Sequence, residues 1–464
     1  MLNKRIILAL LVAMLLIASL ACRFSAPDPT ATPVETGISF PETITQEPAE
    51  TPAVDIVTEP PTEITQDSGG EILDLVRLDK SFWAQDGGNV FVAFFLENPN
   101  SHVIFEDIQN TIYLYGPTGE EIDKNYSDLK WIFPGQAIGI VSRFYLSDES
   151  IVISGVDVEW EYGSTTPATA YSDPFSMENV TFWENNDFPI VTGIINNHQT
   201  TTYTDVKADV ICYNSAGEIV GGSSSYIRFI PGEGYMGFST YVDAYAEVAS
   251  VEVFITPSYS TQMYEGSAFW SDVSLLDSFF YEGDYGNILG GAILQNNTNS
   301  TLRNTVLYTT FYDASGTVTS AGYETIDILL PGASVGISPW IPNPPDEAES
   351  TEFDLLVLPG DADPGYELGE NPFTVTAATV IGDYQDYVAV TFINNYQKQA
   401  SEVDVYVILY NAAGKIIGGG KTWTSEPSPA GAISEVEVWV DYGDDEVIST
   451  IDVWVVPNFW TEFD

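Results

Sequence analysis

Gly332-Ala333-Ser334-Val335-Gly336 spells Gly-x-Ser-x-Gly, the elbow on which a hydrolase presents a nucleophilic serine. Gly420-Lys421-Thr422 closes like a phosphate-cradling loop, whose lysine would reach the phosphates and whose threonine would hold magnesium. Two acidic groups, Asp361/Asp363 and Asp441/Asp444/Asp445/Glu446, offer the hard oxygen donors that calcium takes, although neither has EF-hand spacing. Against these stand only two histidines, His102 and His198, and two cysteines, Cys22 and Cys212. There is no His pair at helical spacing and no Cys/His cluster, which argues against zinc. With 67 acidic residues, close carboxylate pairs arise by chance, and nothing singles one out for general acid/base work.

The elements that must position these residues belong to a repeat. An apolar residue, any residue and Asn recur as Leu96-Glu97-Asn98, Ile195-Asn196-Asn197, Leu294-Gln295-Asn296 and Ile393-Asn394-Asn395, with the last asparagines 99 residues apart. A turn quartet follows each: Gly116-Pro117-Thr118-Gly119, Asn214-Ser215-Ala216-Gly217, Asp313-Ala314-Ser315-Gly316 and Asn411-Ala412-Ala413-Gly414. Asn or Asp first and Gly fourth is type I turn chemistry closing a hairpin. A second turn comes at Pro134-Gly135, Pro231-Gly232, Pro331-Gly332 and Pro429-Ala430-Gly431. Alternating strands such as Val156-Asp157-Val158-Glu159-Trp160 and Ile451-Asp452-Val453-Trp454 close the copies.

Short strands between such turns, with no amphipathic helix after the N-terminus, predict an all-β chain of four tandem immunoglobulin-like β-sandwich modules, each of about seven strands. The modules are expected at 71–164, 165–261, 265–361 and 366–464, each with its own core. Pro359-Gly360-Asp361-Ala362-Asp363-Pro364-Gly365 reads as a hinge. The repeat also disposes of the apparent catalytic motifs. Ser334 follows the recurrent Pro-Gly turn and leads into a strand, where a hydrolase needs strand-turn-helix. Lys415 stands where a phosphate loop needs its first Gly, and Gly418 to Thr422 align with Gly221-Gly222-Ser223-Ser224-Ser225. No catalytic, cofactor-binding or metal-ligating residue is therefore assigned, and the chain reads as non-enzymatic. Cys212 answers to Leu114, Phe311 and Leu409, so it is expected as a buried thiol with no disulfide partner.

Leu114-Tyr115, Cys212-Tyr213, Phe311-Tyr312-Asp313 and Leu409-Tyr410-Asn411 resemble the core of the FxLYD-type motif, with Ile112, Val210, Thr309 and Val407 in place of its leading Phe. That family occurs in bacterial envelope and secreted proteins. The resemblance implies an immunoglobulin-like, non-catalytic envelope module and carries over no functional residue.

At the N-terminus Lys4 and Arg5 precede an apolar run from Ile6 to Ala18, the layout of a secretory signal over residues 1–21. Ser19-Leu20-Ala21-Cys22 resembles a bacterial lipobox, which implies lipidation of Cys22 and a membrane partner through that anchor. An uncleaved signal anchor is the alternative, and both place the bulk of the chain outside the cytoplasm. Residues 23–70 hold 8 Pro, 9 Thr and 9 acidic residues against one Arg, a composition that predicts a disordered tether over 22–70.

Charge excludes further classes. The 67 acidic residues face 14 basic ones, a net −53, so the Lys/Arg patches that neutralise nucleic-acid phosphates or anionic lipids are missing. Aromatics give the positive hint of a ligand: with 10 Trp, 26 Tyr and 24 Phe, clusters such as Phe279-Phe280-Tyr281, Phe269-Trp270 and Trp454 to Trp460 are candidates for exposed rings that stack on sugars. The favoured function is a lipid-anchored cell-surface protein, an extended stalk for adhesion or partner display in the envelope. The alternative is an extracellular polysaccharide-binding or sensing module stiffened by calcium.

Overall fold

Apolar residues alternating with polar ones between Gly, Pro, Asn and Asp turns fold into strands, and the described residues contain no helix. The structure is a computed structural model that describes residues 71–169, 172–184, 189–265, 272–283, 287–344, 349–366, 368–382 and 386–463. The expected signal segment, Cys22 and the tether lie outside the described residues.

In the first module the strands are β1 (Val76–Asp86), β2 (Asn89–Glu97), β3 (Val103–Tyr115), β4 (Glu121–Ile132), β5 (Ala137–Tyr145) and β6 (Gly155–Pro167). They pair antiparallel as one sheet in the order β1-β2-β5 and another in the order β4-β3-β6. Phe94, Leu96 and Ile140 of the first sheet pack against Phe105, Ile108 and Ile112 of the second. The same two sheets recur downstream, with Thr201–Tyr213, Thr301–Tyr312 and Val403–Tyr410 as the counterparts of β3. The chain is all-β, four tandem immunoglobulin-like sandwiches. Each has six principal strands rather than seven, because the chain leaves β6 for the first strand of the next module, Phe175–Trp183.

The β3–β4 turn forms as its sequence dictates. The amide of the fourth residue donates to the carbonyl of the first in all four copies, Gly119 to Gly116, Gly217 to Asn214, Gly316 to Asp313 and Gly414 to Asn411, at 2.9–3.0 Å. Those glycines take φ values of +76° to +83°, which a Cβ would disfavour. Oδ1 of Asn214, Asp313 and Asn411 accepts two turn amides each. In the first copy Gly116 has no side chain to do this, and the Glu120 carboxylate takes over, accepting from Thr118 N at 3.0 Å and from its hydroxyl.

The repeated asparagine ties the two sheets together. Asn98 Nδ2 donates to the carbonyls of Val103, at the start of β3, and Ile132, at the end of β4. Asn197 and Asn296 bond in the same way. In the fourth copy the part is played by Asn394, which reaches Lys398 O at 3.0 Å and Ser428 O at 2.9 Å, whereas the expected Asn395 is exposed. The spacing is thus one residue shorter there. Strand alternation decides it: Phe392 is the buried residue that answers to Leu96, so the inward amide must be two positions on.

The modules are less independent than the sequence suggests. Pro359 to Gly365 is no hinge: Asp361–Asp363 is a strand paired with Thr301–Arg303, and Arg303 Nε donates to Asp363 at 2.8 Å. Each module does have a core of its own, but these cores are joined across the module boundaries. Phe91, Ala93 and Phe95, on the outer face of β2, pack with Ile211 and Tyr213 of the second module. Ile104 and Trp131 join the second core, as do Val306 and Tyr308 of the third module, and Tyr406 and Val456 of the fourth module enter the third core. Residues Val90 to Leu96 are consequently all buried, a continuous apolar run covered on both faces. Glycines make the close approach possible: a Cβ on Gly139 would lie 2.4 Å from Ile211, one on Gly237 2.1 Å from Thr310, and one on Gly336 2.4 Å from Trp454.

Candidate functional site

The residues singled out for chemistry do not assemble into one centre. Ser334 opens the strand Ser334–Ile337 directly after its turn, and Gly420-Lys421-Thr422 lies within the strand Ile416–Trp423. Neither sits at a strand-to-helix junction. Cys212 is fully buried in the second core, and burial, assisted by the Asp243 charge, pushes its thiol up to about 12. His198, on a loop, has its Nε2 2.8 Å from Oγ of Ser176 in the strand Phe175–Trp183. Asp363 is held by Arg303, Asp441 accepts from Asn287 at 3.2 Å, and Glu446 accepts from Asn411 at 3.2 Å. Among the described residues no three His, Cys, Asp or Glu side chains converge as a metal site.

The aromatics do converge. Among the described residues five tryptophans are exposed, and four of them, Trp340, Trp423, Trp439 and Trp460, line a single cleft of about 680 Å³ between the third and fourth modules. Their exposures are 68 %, 63 %, 55 % and 74 %, too high for rings serving only as packing. Trp439 ends the strand Ile433–Trp439, whose alternation buries Val438 and Val440 and turns Trp439 out beside Glu435 and Glu437. Trp423 ends its own strand. Trp460 stands in the turn after Thr450–Pro457, where its amide donates to Asn458 Oδ1 at 2.9 Å. Trp340 follows the strand Ser334–Ile337 in the third module and is set beside Tyr241 of the second, with ring centroids 6.3 Å apart.

Polar groups line the same cleft. Lys421 Nζ lies 3.1 Å from Glu324 of the third module and 3.3 Å from Asp404. Burial works against the Lys421 ammonium, yet these two carboxylates outweigh it and hold it above the usual lysine range. Asp404 also accepts from Tyr406 Oη at 3.1 Å and from Asn458 Nδ2 at 3.0 Å, so its orientation is fixed. Burial raises Asp327, only partly offset by the Phe459 amide, and the Asp404 charge adds to the rise. Burial likewise raises Asp441, against the Asn287 amide. Flat apolar rings beside fixed donors and acceptors can stack on a sugar face and bond its hydroxyls.

Of the aromatic clusters suspected from sequence, Trp460 is in the cleft, and Phe269-Trp270 lies outside the described residues. Phe279-Phe280-Tyr281 is a packing element: Phe280 is buried, Lys415 Nζ sits 3.7 Å from the Phe279 ring centre, and Tyr281 Oη donates to Ile417 O. Trp340, Trp423 and Trp439 were not singled out in the sequence. The parity of Trp439 with Glu435 and Glu437 was the available signal.

No family model and no curated protein matches the chain. Among solved structures it is similar to the cryo-EM reconstruction of native E. coli alpha-2-macroglobulin, at 9% identity over 82% of this chain, with a TM-score of 0.12. The chain spans 29% of the length of that protein. So slight a likeness carries no argument about fold or function.

Proposed function

We propose that the chain is a lipid-anchored, non-enzymatic protein of the extracytoplasmic surface that binds polysaccharide in the cleft between its third and fourth modules. The observation that carries the binding is the gathering of four exposed tryptophans in one place. An exposed Trp costs solubility unless a ligand covers it, and a pyranose face covers it well. The anchor rests on the signal layout and on Cys22, and the envelope location agrees with the FxLYD-type resemblance. The first two modules are then assigned the display role.

Intrinsic tryptophan fluorescence of the full chain, titrated with a panel of soluble polysaccharides, tests the binding. At least one polymer should shift the emission, and Trp423→Ala with Trp439→Ala should abolish that shift. A panel with no binder refutes it. Metabolic labelling with a palmitate analogue, lost on Cys22→Ser, tests the anchor, and an unlabelled wild type removes it.

A further inference from the structure

The cleft is also unusual in its charge. Five carboxylates line it, Glu324, Asp327, Glu402, Asp404 and Asp441, against one ammonium, Lys421. Lys421 is already engaged by Glu324 and Asp404. Among the described residues no cation lies within ion-pair distance of the other three, although the more distant Lys421 and Arg228 charges act on Asp327. Their surroundings include the four exposed indoles, whose faces attract cations. From this arrangement we infer that the cleft selects polysaccharides bearing several free amino groups, with the ammoniums of successive hexosamine residues meeting Asp327 and Glu402 toward one end of the cleft and Asp441 toward the other, as the strand register separates them, while the pyranose rings stack on indole.

The inference rests on the saccharide binding proposed above and names its ligand class. An anionic sugar would enter against five carboxylates and one ammonium, and the net repulsion would be strongest at low salt. A neutral sugar would stack but leave those carboxylates as they are. An amino sugar supplies the counter-charge together with N–H donors for carboxylate oxygens, and such charge-assisted bonds are about twice as strong as neutral ones. The upward displacement of Asp327 and Asp441 agrees with carboxylates held where an arriving cation relieves a standing penalty.

The test compares four probes on the full chain in low-salt buffer slightly below neutrality: a β-1,4-linked glucosamine hexamer, its fully N-acetylated counterpart, a galacturonate hexamer and hexalysine. The glucosamine hexamer should bind at least about tenfold more tightly than the acetylated one, lose most of that advantage in high salt, and outbind hexalysine. The double substitution Glu402→Gln with Asp441→Asn should shrink the difference between the two hexosamine probes to under about threefold. If the acetylated or anionic hexamer binds as well as the free amine, the amino-sugar selectivity is wrong while saccharide binding stands. If hexalysine binds equally well, the cleft reads charge alone and the inference fails. If no saccharide in this set or in the wider panel binds, both fall together.

Discussion

Glu233 shows what a single residue costs where the repeat is broken. Its φ is +49°, in the left-handed region, while the equivalent turn positions in the other copies are glycines, Gly135 at +68°, Gly332 at +67° and Gly431 at +70°. Its side chain is exposed and its amide donates to Gln199 O, a bond that glycine would keep. Glu233→Gly is expected to stabilise the second module by about 0.5–1 kcal/mol, measured by urea unfolding, and a loss of stability would contradict the assignment. The asparagines give a sharper contrast. Asn394→Ala removes a buried amide, taking a donor from the Lys398 carbonyl, an acceptor from the Tyr396 amide and one of two donors from the Ser428 carbonyl, so about 1–3 kcal/mol should be lost. Asn395→Ala removes one exposed bond to Thr374 and should cost no more than about 0.5 kcal/mol. Equal effects would mean that the sequence repeat, not the strand register, assigns the residue. Here periodicity alone was ambiguous, because Phe392 and Ile393 are both apolar and two asparagines follow them. Only the inward face chooses.

Strands and turns were legible because their signals are local. The turn quartets predicted four hairpins, and Val436/Val438/Val440 alternating with Glu435/Glu437 predicted which side of that strand faces inward. The joints between modules were not legible, since each depends on residues about a hundred positions apart meeting face to face. One sign was present: the run from Phe91 to Leu96 does not alternate, as a strand covered on both faces should not. The cleft shares this origin. Trp340 and Glu324 come from one module and Trp423, Trp439 and Lys421 from the next, so no window of sequence contains the site. A prediction belongs to the joint that builds it. Gly336→Val would push a side chain into Trp454 and Ile408, and such overpacking should cost about 1–3 kcal/mol. Hydrogen exchange should quicken along Val403–Tyr410 and Thr450–Pro457, with the first module unchanged. Uniform quickening across all four modules would show that the joint is not the element disturbed.

Among the described residues most of the few cations serve joints. Arg143 pairs with Asp243 of the next module, Lys80 lies over Tyr213, Arg228 over Tyr323, and Lys421 reaches Glu324. Lys207, buried between the first two modules, pairs with Asp209 at 2.8 Å and donates to Ser127 Oγ at 2.9 Å. The remaining surface is acidic, with a net −53 that repels itself when folded. The titration of individual carboxylates gives this a sign. Asp173, Asp209, Asp327 and Asp441 are all raised, chiefly by burial. An acid raised in the folded state binds more protons folded than unfolded, so its contribution to stability increases as pH falls through its folded value toward the ordinary range near about 4. Glu120, Asp148 and Asp313 are lowered by hydrogen bonds in exposed turns, and their contribution is lost only below that range. Mild acidification also discharges part of the net −53. The melting temperature should therefore hold or rise from about pH 8 to about pH 5 and collapse only below about pH 4. Calorimetry across that span decides the matter, since a melting temperature that falls steadily from neutrality would mean that carboxylates stabilised by ion pairs outweigh those held in penalised sites.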